Sequence, residues 1–348
     1  MPRPSSNSVT VRDVARAAEV SVATVSRVLN GNRAVAAGLR ERVLATASQL
    51  SYTPHAAARA LASQRSRTIG AVIPTLENVN FALGIEALQR RLAEAGYTLL
   101  LASSNYDPAE ELRQVKALAA HGVAGVMLVG GNHVPEIYEL LQAKNIPFVT
   151  TWVVDAARPS IGFDNHEIGR ALATYLLDLG HTQFGVIAQV GARSDRAAER
   201  VAGIHEALAG RGLPPPRVRV TERPYKIVEG ELALRTLMQE RPRPTAVICG
   251  TDSLAFGALS EAVRMGLAVP RDLSIAGIND AEFSAHLNPP LTTMRLPADE
   301  IGTRAAEYLL GCVEAQPVVP LTQLQFSLIV RGSTAPPLRV QRELEKST

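Results

Sequence analysis

The sequence predicts an all-α helix-turn-helix headpiece followed by an α/β core of two lobes with parallel sheets. Short amphipathic helical patterns occupy the first 52 residues, whereas buried strand patterns alternate with helical patterns from Thr68 onward. The basic residues are concentrated at the N-terminal end. The chain has 348 residues, and the roughly 270 of the segment with alternating strand and helix patterns exceed one comfortable α/β lobe.

Three short helices are predicted in the N-terminal segment. Thr10, with Asp13 three residues later, is a capping signal for the first helix. A tight break at residues 19–20 precedes a second helix that is capped by Ser21, and a third helix is predicted near residues 38–51. Two helices joined by so short a turn must cross steeply, as they do in a helix-turn-helix.

The charge is distributed unevenly along the chain. Residues 1–67 contain ten arginines, no lysine and three acidic residues, which gives a net charge of +7, whereas the remaining residues carry −4. A cationic end on a mildly anionic body predicts a polyanionic partner such as DNA. The alternatives are an ordinary solvated face for the charge and a protein-binding hairpin for the helices.

Several protein classes lack support in the sequence. Cys249 and Cys312 form no C-x-x-C pair and are predicted to be buried free thiols. The chain contains no apolar signal region and no apolar stretch of about 18 residues, so we expect a cytoplasmic protein with no membrane partner. A transport binding protein would need a secretion signal, and the phosphate-binding and hydrolase motifs of enzymes are missing. We therefore expect no catalytic residues, metal or cofactor.

The core is predicted to consist of βαβ units. Its strand candidates are residues 69–74, 97–102, 123–129, 147–152, 184–190, 246–250 and 273–277. Ligands of open α/β sheets bind beyond the carboxyl ends of the strands, and two facing lobes form a cleft there. The polar or aromatic residues that follow the strands are therefore the binding candidates.

The candidate ligand-binding residues combine rings, amides and charges. They are Asn80, Phe81, Trp152, Asp164, Arg196, Arg200, Tyr225, Thr251, Asp252 and Asn279. An aromatic face opposed by polar groups suits a sugar-like ligand. Each candidate has a simpler alternative: Asp164 and Asp252 as helix caps, Trp152 and Tyr225 as core aromatics, and Arg200 as an exposed helical residue.

The chain resembles the lactose-repressor (LacI/GalR) family over almost its whole length. The headpiece run TVRDVARAAEVSVATVSRVLNG and the hinge-like YTPHAAARALA carry the specific part of this resemblance. The core motifs IGAVIP, FDN, RVAG, TDSLAFGA, SIAGIND and PPLTTMR are shared with periplasmic sugar-binding proteins, so the core is expected to be periplasmic-binding-protein-like. Ala36 stands where the family often has a capping serine, and Asn279 where it often has an aspartate, which makes an anionic ligand easier to accept.

The resemblance implies which residues contact DNA. They are Thr10, Val22, Ala23, Thr24, Ser26, Arg27, Asn30, Ala58 and Leu61. Val22 and Ala23 can touch a thymine methyl but cannot hydrogen-bond a base, so base-specific bonds fall mainly to Arg27. The hinge at residues 54–62 is too short to be a stable helix alone. Paired hinges would be ordered in the minor groove, with Leu61 as the wedge.

We therefore expect a transcriptional repressor whose operator affinity is controlled by an effector, a sugar or a sugar acid. The predicted partners are a second copy of the chain and a palindromic double-stranded operator. The predicted segments are a headpiece (1–53), a hinge helix and linker (54–67), a core (68–338) and a tail (339–348), which lacks the heptads of a tetramerising coiled coil. Within the core, lobe 1 is expected at about 68–160 and 291–320, and lobe 2 at about 161–290 and 321–338.

Overall fold

The computed structural model of the chain describes residues 9–29, 35–52, 66–189, 194–223 and 225–338. The chain divides into two compact units, Met1–Ser66 and Arg67–Thr348. The predicted hinge helix at 54–62 and the tail at 339–348 lie outside the described residues. No helix in the described ranges is both long and apolar enough to cross a membrane.

The first unit contains the three predicted helices: α1 (Val11–Ala17), α2 (Val22–Leu29) and α3 (Ala37–Gln49). The break between α1 and α2 includes Glu19, whose φ of 53° turns the chain sharply. Apolar residues from all three helices form a small core: Val14, Ala15, Ala18, Val25, Val28, Val43 and Ala47. The hydroxyl of Ser21 accepts the predicted capping bond, from the backbone N–H of Thr24, at 3.1 Å. As expected, Ala36 offers no such bond to α3.

The second unit contains two six-stranded sheets, and the first belongs to lobe 1. Its strands, numbered by position in the chain but given in their order across the sheet, are β11 (Leu321–Gln323), β5 (Ser160–Gly162), β4 (Phe148–Thr151), β3 (Gly125–Val129), β1 (Thr68–Ile73) and β2 (Thr98–Ser103). All of its pairings are parallel. The predicted strands of this lobe are confirmed, and the sheet also includes the three-residue strands β5 and β11.

The second sheet belongs to lobe 2. Its strands, in their order across the sheet, are β12 (Ser327–Ile329), β10 (Thr292–Arg295), β9 (Ser274–Asn279), β8 (Ala246–Cys249), β6 (Phe184–Ala188) and β7 (Arg217–Val220). Its pairings are parallel except that of β10 with β12, which is antiparallel. One antiparallel edge strand on an otherwise parallel sheet is common in α/β folds.

Helices connect and cover these strands. In chain order they are α4 (Val79–Glu94), α5 (Pro108–Ala120), α6 (Pro135–Ala143), α7 (Asn165–Asp178), α8 (Asp195–Ala209), α9 (Ile227–Gln239), α10 (Asp252–Arg264) and α11 (Ala298–Val313). Helix α11 returns to lobe 1 and packs against α4, as the sequence suggested. Helix α7 packs against α8 in lobe 2.

The three crossings between the lobes lie a few residues after the predicted positions of about 160, 290 and 320. Strand β5 ends at Gly162 and β11 lies at 321–323, and both belong to the first sheet; β10, at 292–295, belongs to the second. The chain therefore passes between the lobes after β5, after β10 and after β11. The exact crossing points were not predictable because three- and four-residue strands give no readable alternation.

Candidate ligand cleft and nucleic-acid interface

Helix α2 carries the candidate base-reading residues on the side away from the headpiece core. The candidates Val22, Ala23, Thr24, Ser26 and Arg27 are all exposed or partly exposed. The opposite side of the helix, with Val25 and Val28, is buried. Within the described part of the chain no ion pair engages the Arg27 guanidinium, so the structure leaves this group available to a partner outside the headpiece.

Thr10 is held in the predicted capping arrangement at the start of α1. The Asp13 carboxylate accepts hydrogen bonds from the backbone N–H of Thr10 at 2.9 Å and from its hydroxyl at 2.7 Å. These bonds lower the pKa of Asp13 below its ordinary value. The other DNA-binding candidates, Asn30, Ala58 and Leu61, lie outside the described residues.

A cleft lies between the two lobes at the carboxyl ends of their strands. Its lining residues are Asn78, Asn80, Phe81, Tyr106, Trp152, Gln189, Ser194, Arg196, Ala197, Arg200, Gly250, Thr251, Asn279 and Leu296. The space between them is about 520 Å³, including the part that is open to solvent.

The aromatic wall of the cleft is rigid. The indole N–H of Trp152 donates a 2.7 Å hydrogen bond to the side-chain oxygen of Asn80. Trp152 also packs edge-to-face against Phe81, with ring centroids 5.1 Å apart. Both rings are buried, with Trp152 1% and Phe81 4% exposed, and both line the cleft. Trp152 therefore belongs to the core, as the alternative considered for it held, and also borders the cleft.

Asn165 connects this wall to Arg200. Its amide nitrogen donates to the backbone oxygen of Trp152 at 2.9 Å, and its amide oxygen accepts from Nε of Arg200 at 2.9 Å. Burial, reinforced by the neighbouring positive charge of Arg196, lowers the pKa of Arg200 to about 9. The guanidinium is still protonated at neutral pH.

Asp195 and Arg196 form the second charged element of the cleft. One carboxylate oxygen of Asp195 accepts from the backbone N–H of Arg196 at 2.8 Å and from its guanidinium at 2.9 Å. The other oxygen accepts from the backbone N–H groups of Gly131 at 2.6 Å and Asn132 at 3.2 Å. Although burial opposes ionisation, Arg196 and these amides hold the pKa of Asp195 below its ordinary value.

The structure brings seven of the ten effector candidates to the cleft. They are Asn80, Phe81, Trp152, Arg196, Arg200, Thr251 and Asn279. Tyr225 lies outside this lining. It is nevertheless near enough to Tyr106 to contribute to the raised pKa of that phenol. Asp164 also lies outside it: this exposed residue caps α7 by accepting the backbone N–H of Glu167 at 3.0 Å.

Asp252 was predicted to contact the effector, but its carboxylate is bonded to the protein interior instead. It is 1% exposed, and its carboxylate accepts from the hydroxyls of Thr293 at 2.6 Å and Ser284 at 2.7 Å and from the backbone N–H of Ala281 at 2.7 Å. Burial raises the pKa of this carboxyl, while its hydrogen bonds oppose the rise. The helix cap itself is Thr251.

Sequence reasoning missed several lining residues. They are Asn78, Tyr106, Gln189, Ser194, Ala197, Gly250 and Leu296, together with Asn165 behind the wall. Tyr106 follows β2 and Gln189 follows β6, so the rule that ligands bind beyond strand ends would have found both. Burial raises the pKa of Tyr106, so its phenol is a neutral hydrogen-bond donor.

One chain thus combines an exposed second helix in the headpiece with a cleft between two α/β lobes. This combination is typical of DNA-binding regulators that respond to a small molecule. Residues 10–55 match the family described as bacterial regulatory proteins, lacI family. Residues 173–334 match the periplasmic binding protein-like domain. The chain belongs to the LacI family.

Relatives of known name align over nearly the full chain. Catabolite control protein A of Priestia megaterium is 32% identical over 94% of this chain and 99% of that protein. The transcriptional repressor PurR of Vibrio campbellii is 34% identical over 93% of this chain and 98% of its own length. The Lac repressor dimer bound to operator and the anti-inducer ONPF is similar in structure, with a TM-score of 0.83, 29% identity, and coverage of 94% of this chain and 99% of that one.

Proposed function

We propose that the chain is a sequence-specific transcriptional repressor that is controlled by a small effector, a sugar or a sugar acid, bound between the lobes. The observation that carries this proposal is the combination of two features in one LacI-family chain: an α2 that exposes Arg27, and a cleft lined by polar side chains. It performs no catalysis, and its work on DNA is in the cytoplasm.

The proposed working form is a homodimer that reads a palindromic operator. One short helix contacts only a few base pairs, and a two-fold axis would place two such helices on related half-sites. Exposed apolar residues on one side at the start of α4 supply a candidate contact surface: Leu76 (55% exposed), Val79 (42%) and Leu83 (42%). The related Lac repressor likewise binds its operator as a dimer.

The test begins with DNA selection by the full-length protein from a random duplex library. We expect enrichment of a palindrome with two half-sites and a steep loss of affinity as salt rises. Addition of sugars and sugar acids should then change operator affinity for at least one compound. A protein that enriches no sequence, or that binds DNA with no salt dependence, would contradict the proposal. Light scattering that gives a stable tetramer would contradict the dimer.

A further inference from the structure

The imidazole of His133, in the loop between β3 and α6, lies between two hydrogen-bond acceptors. Its side chain is only 2% exposed; Nδ1 lies 2.9 Å from a carboxylate oxygen of Glu111, on α5, and Nε2 lies 3.0 Å from the backbone oxygen of Gly130. A carbonyl oxygen can only accept, so Nε2 carries a hydrogen. If Nδ1 were bare, its lone pair would face a lone pair of the carboxylate. The His133–Glu111 pair therefore holds one proton more than a neutral imidazole and a free carboxylate do together.

The charged groups around the His133–Glu111 pair favour this extra proton. The titratable groups nearest to it are Asp107, Tyr106, Tyr138, Asp195 and Arg196, with Arg158 over the ring of Tyr138. Asp195 and Arg196 are paired with each other at 2.9 Å, and Arg158 is paired with Asp155 at 3.2 Å, so these groups add no net charge. Burial raises the pKa of both phenols, which are therefore neutral. Asp107 has no ion-pair partner among the described residues, and its negative charge favours a bound proton.

Two successive peptide groups of this loop connect lobe 1 to lobe 2. The peptide between Gly130 and Gly131 accepts from His133 at its oxygen, and its N–H donates to the carboxylate of Asp195 at 2.6 Å. The next peptide accepts from the hydroxyl of Tyr138 at 3.3 Å, and its N–H donates to the same carboxylate at 3.2 Å. The C=O and N–H groups of a trans peptide point in opposite directions in one plane. Each side chain of lobe 1 therefore sets the direction of an amide that reaches lobe 2.

We propose that the His133–Glu111 pair is a proton-operated latch between the lobes, which binds a proton when the cleft is closed and releases the loop when the proton is lost. A protonated imidazole polarises the peptide to which it donates, and this strengthens the bond from that peptide to the ionised Asp195. Loss of the proton leaves a bare Nδ1 against the Glu111 carboxylate, so the ring turns away and the oxygen of Gly130 loses its donor. Closure is therefore favoured at lower pH and is lost as the pH rises. This device belongs to the core and does not depend on the proposed function, because it needs neither DNA nor effector.

The test measures hydrogen exchange of the loop amides in the full-length protein without DNA or effector. Fragments that contain Gly131 and Asn132 are followed by mass spectrometry between about pH 6 and pH 8, where histidines ordinarily change charge. Each rate is divided by the intrinsic exchange rate at the same pH. Because one linked proton changes an equilibrium at most about tenfold per pH unit, we expect the protection of these amides to fall about three- to tenfold over this range. Protection that does not vary with pH would overturn the proposal.

Glu111→Gln separates a proton site from a purely structural contact. A neutral amide can donate to a bare Nδ1, so this variant should keep the loop protected at the upper end of the pH range and lose the pH dependence. Glu110→Gln is the matched control, because it removes the neighbouring carboxylate of α5, which is bonded to Arg113 on its own helix. The control should keep the wild-type profile. Identical profiles for the two variants would show that the proton is not bound by this pair.

His133→Gln removes the proton site altogether and provides a second test. Its amide can still donate to the oxygen of Gly130, so we expect a lower protection of the loop that is constant with pH. His121→Gln, at the exposed end of α5, is the control and should vary with pH as wild type does. A wild-type profile in His133→Gln would overturn the assignment, even if Glu111→Gln does not fold.

Discussion

The carboxylate of Asp195, at the start of α8 in lobe 2, lies 2.6 Å from the backbone nitrogen of Gly131, which follows β3 in lobe 1. This bond joins the two walls of the cleft directly. Gly130, just before it, has a φ of 100°, and a Cβ at this position would collide with the Arg196 guanidinium. Gly130 therefore lets the charged start of α8 approach the loop of lobe 1. Lys226 of lobe 2 and Glu77 of lobe 1 add an ion pair between the lobes.

Asp195→Asn should favour an open cleft. The substitution removes the charge that pairs with Arg196 and accepts from two amides of the opposite lobe. We expect a loss of about 1–3 kcal/mol in the free energy of unfolding, together with a larger radius of gyration by small-angle scattering. Asp164→Asn is the control, because Asn caps helices about as well as Asp and this residue is exposed. Identical scattering from both variants would show that Asp195 does not hold the lobes together.

His181 should make the core sensitive to acid. Its ring is 1% exposed; Nε2 lies 2.9 Å from the backbone oxygen of Ala335, and Nδ1 lies 2.9 Å from the hydroxyl of Thr245. Burial lowers its pKa to about 4, from an ordinary value of 6.5. Because the folded state resists protonation, this group costs no stability above pH 6.5, and stability is lost as the pH falls from 6.5 to about 4.

The magnitude of this effect is about 3 kcal/mol over that pH range. Chemical denaturation at a series of pH values should show the loss in wild type, and His181→Gln should have a flatter profile around a lower baseline. His121→Gln, at the exposed end of α5, is the matched control and should keep the wild-type slope. An unchanged slope in His181→Gln would rule out this residue as the source.

Arg27→Ala should reduce operator affinity and relax sequence preference. The expected cost is about 1–3 kcal/mol if the contact is a bidentate pair to guanine. Arg65→Ala should instead weaken all DNA about equally and flatten the salt dependence, since a linker arginine reaches only phosphates. Binding of operator and random duplexes across a salt series measures both effects. Equal loss of specificity in the two variants would contradict this division.

Leu61→Ala should weaken operator binding while leaving effector binding intact. Leu61 lies outside the described residues, and its role as a wedge in the minor groove is carried over from the family resemblance. Random-DNA affinity should persist because it depends on arginines and phosphates. The measurements are operator affinity and DNA bending by a permutation assay. Wild-type bending in the variant would show that Leu61 is not the wedge.

The sequence predicted the helices and strands that have a clear pattern of apolar residues within their own length. Helix α1 has an apolar stripe at helical spacing and β3 is a continuous apolar run, and both elements lie where they were expected. Strand β11 has three residues, and only its pairing with β5 makes it a strand. No local signal carries that pairing, so both strands were missed, and the crossings between the lobes were placed a few residues too early.

The sequence predicted which residues follow the strand ends, but not which groups their side chains contact. The rule that ligands bind beyond strand ends found Phe81, Arg200 and Asn279, which line the cleft. It also selected Asp252, because the sequence does not show that Thr293 and Ser284, about 30 to 40 positions later, surround that carboxylate. A carboxylate after a strand can face a ligand or the protein interior, and only the tertiary contacts decide between these roles.

The late position of β11 and β12 in the chain determines the order in which the molecule can mature during synthesis. The headpiece core is complete once Ala47 has emerged, whereas each sheet waits for an edge strand at 321–323 or 327–329. At about 5–20 residues per second, the ribosome needs on the order of ten seconds or more to cover that interval. During this time the nascent chain can present a folded headpiece before it has a finished cleft. Effector response is therefore the last property of the molecule to be acquired.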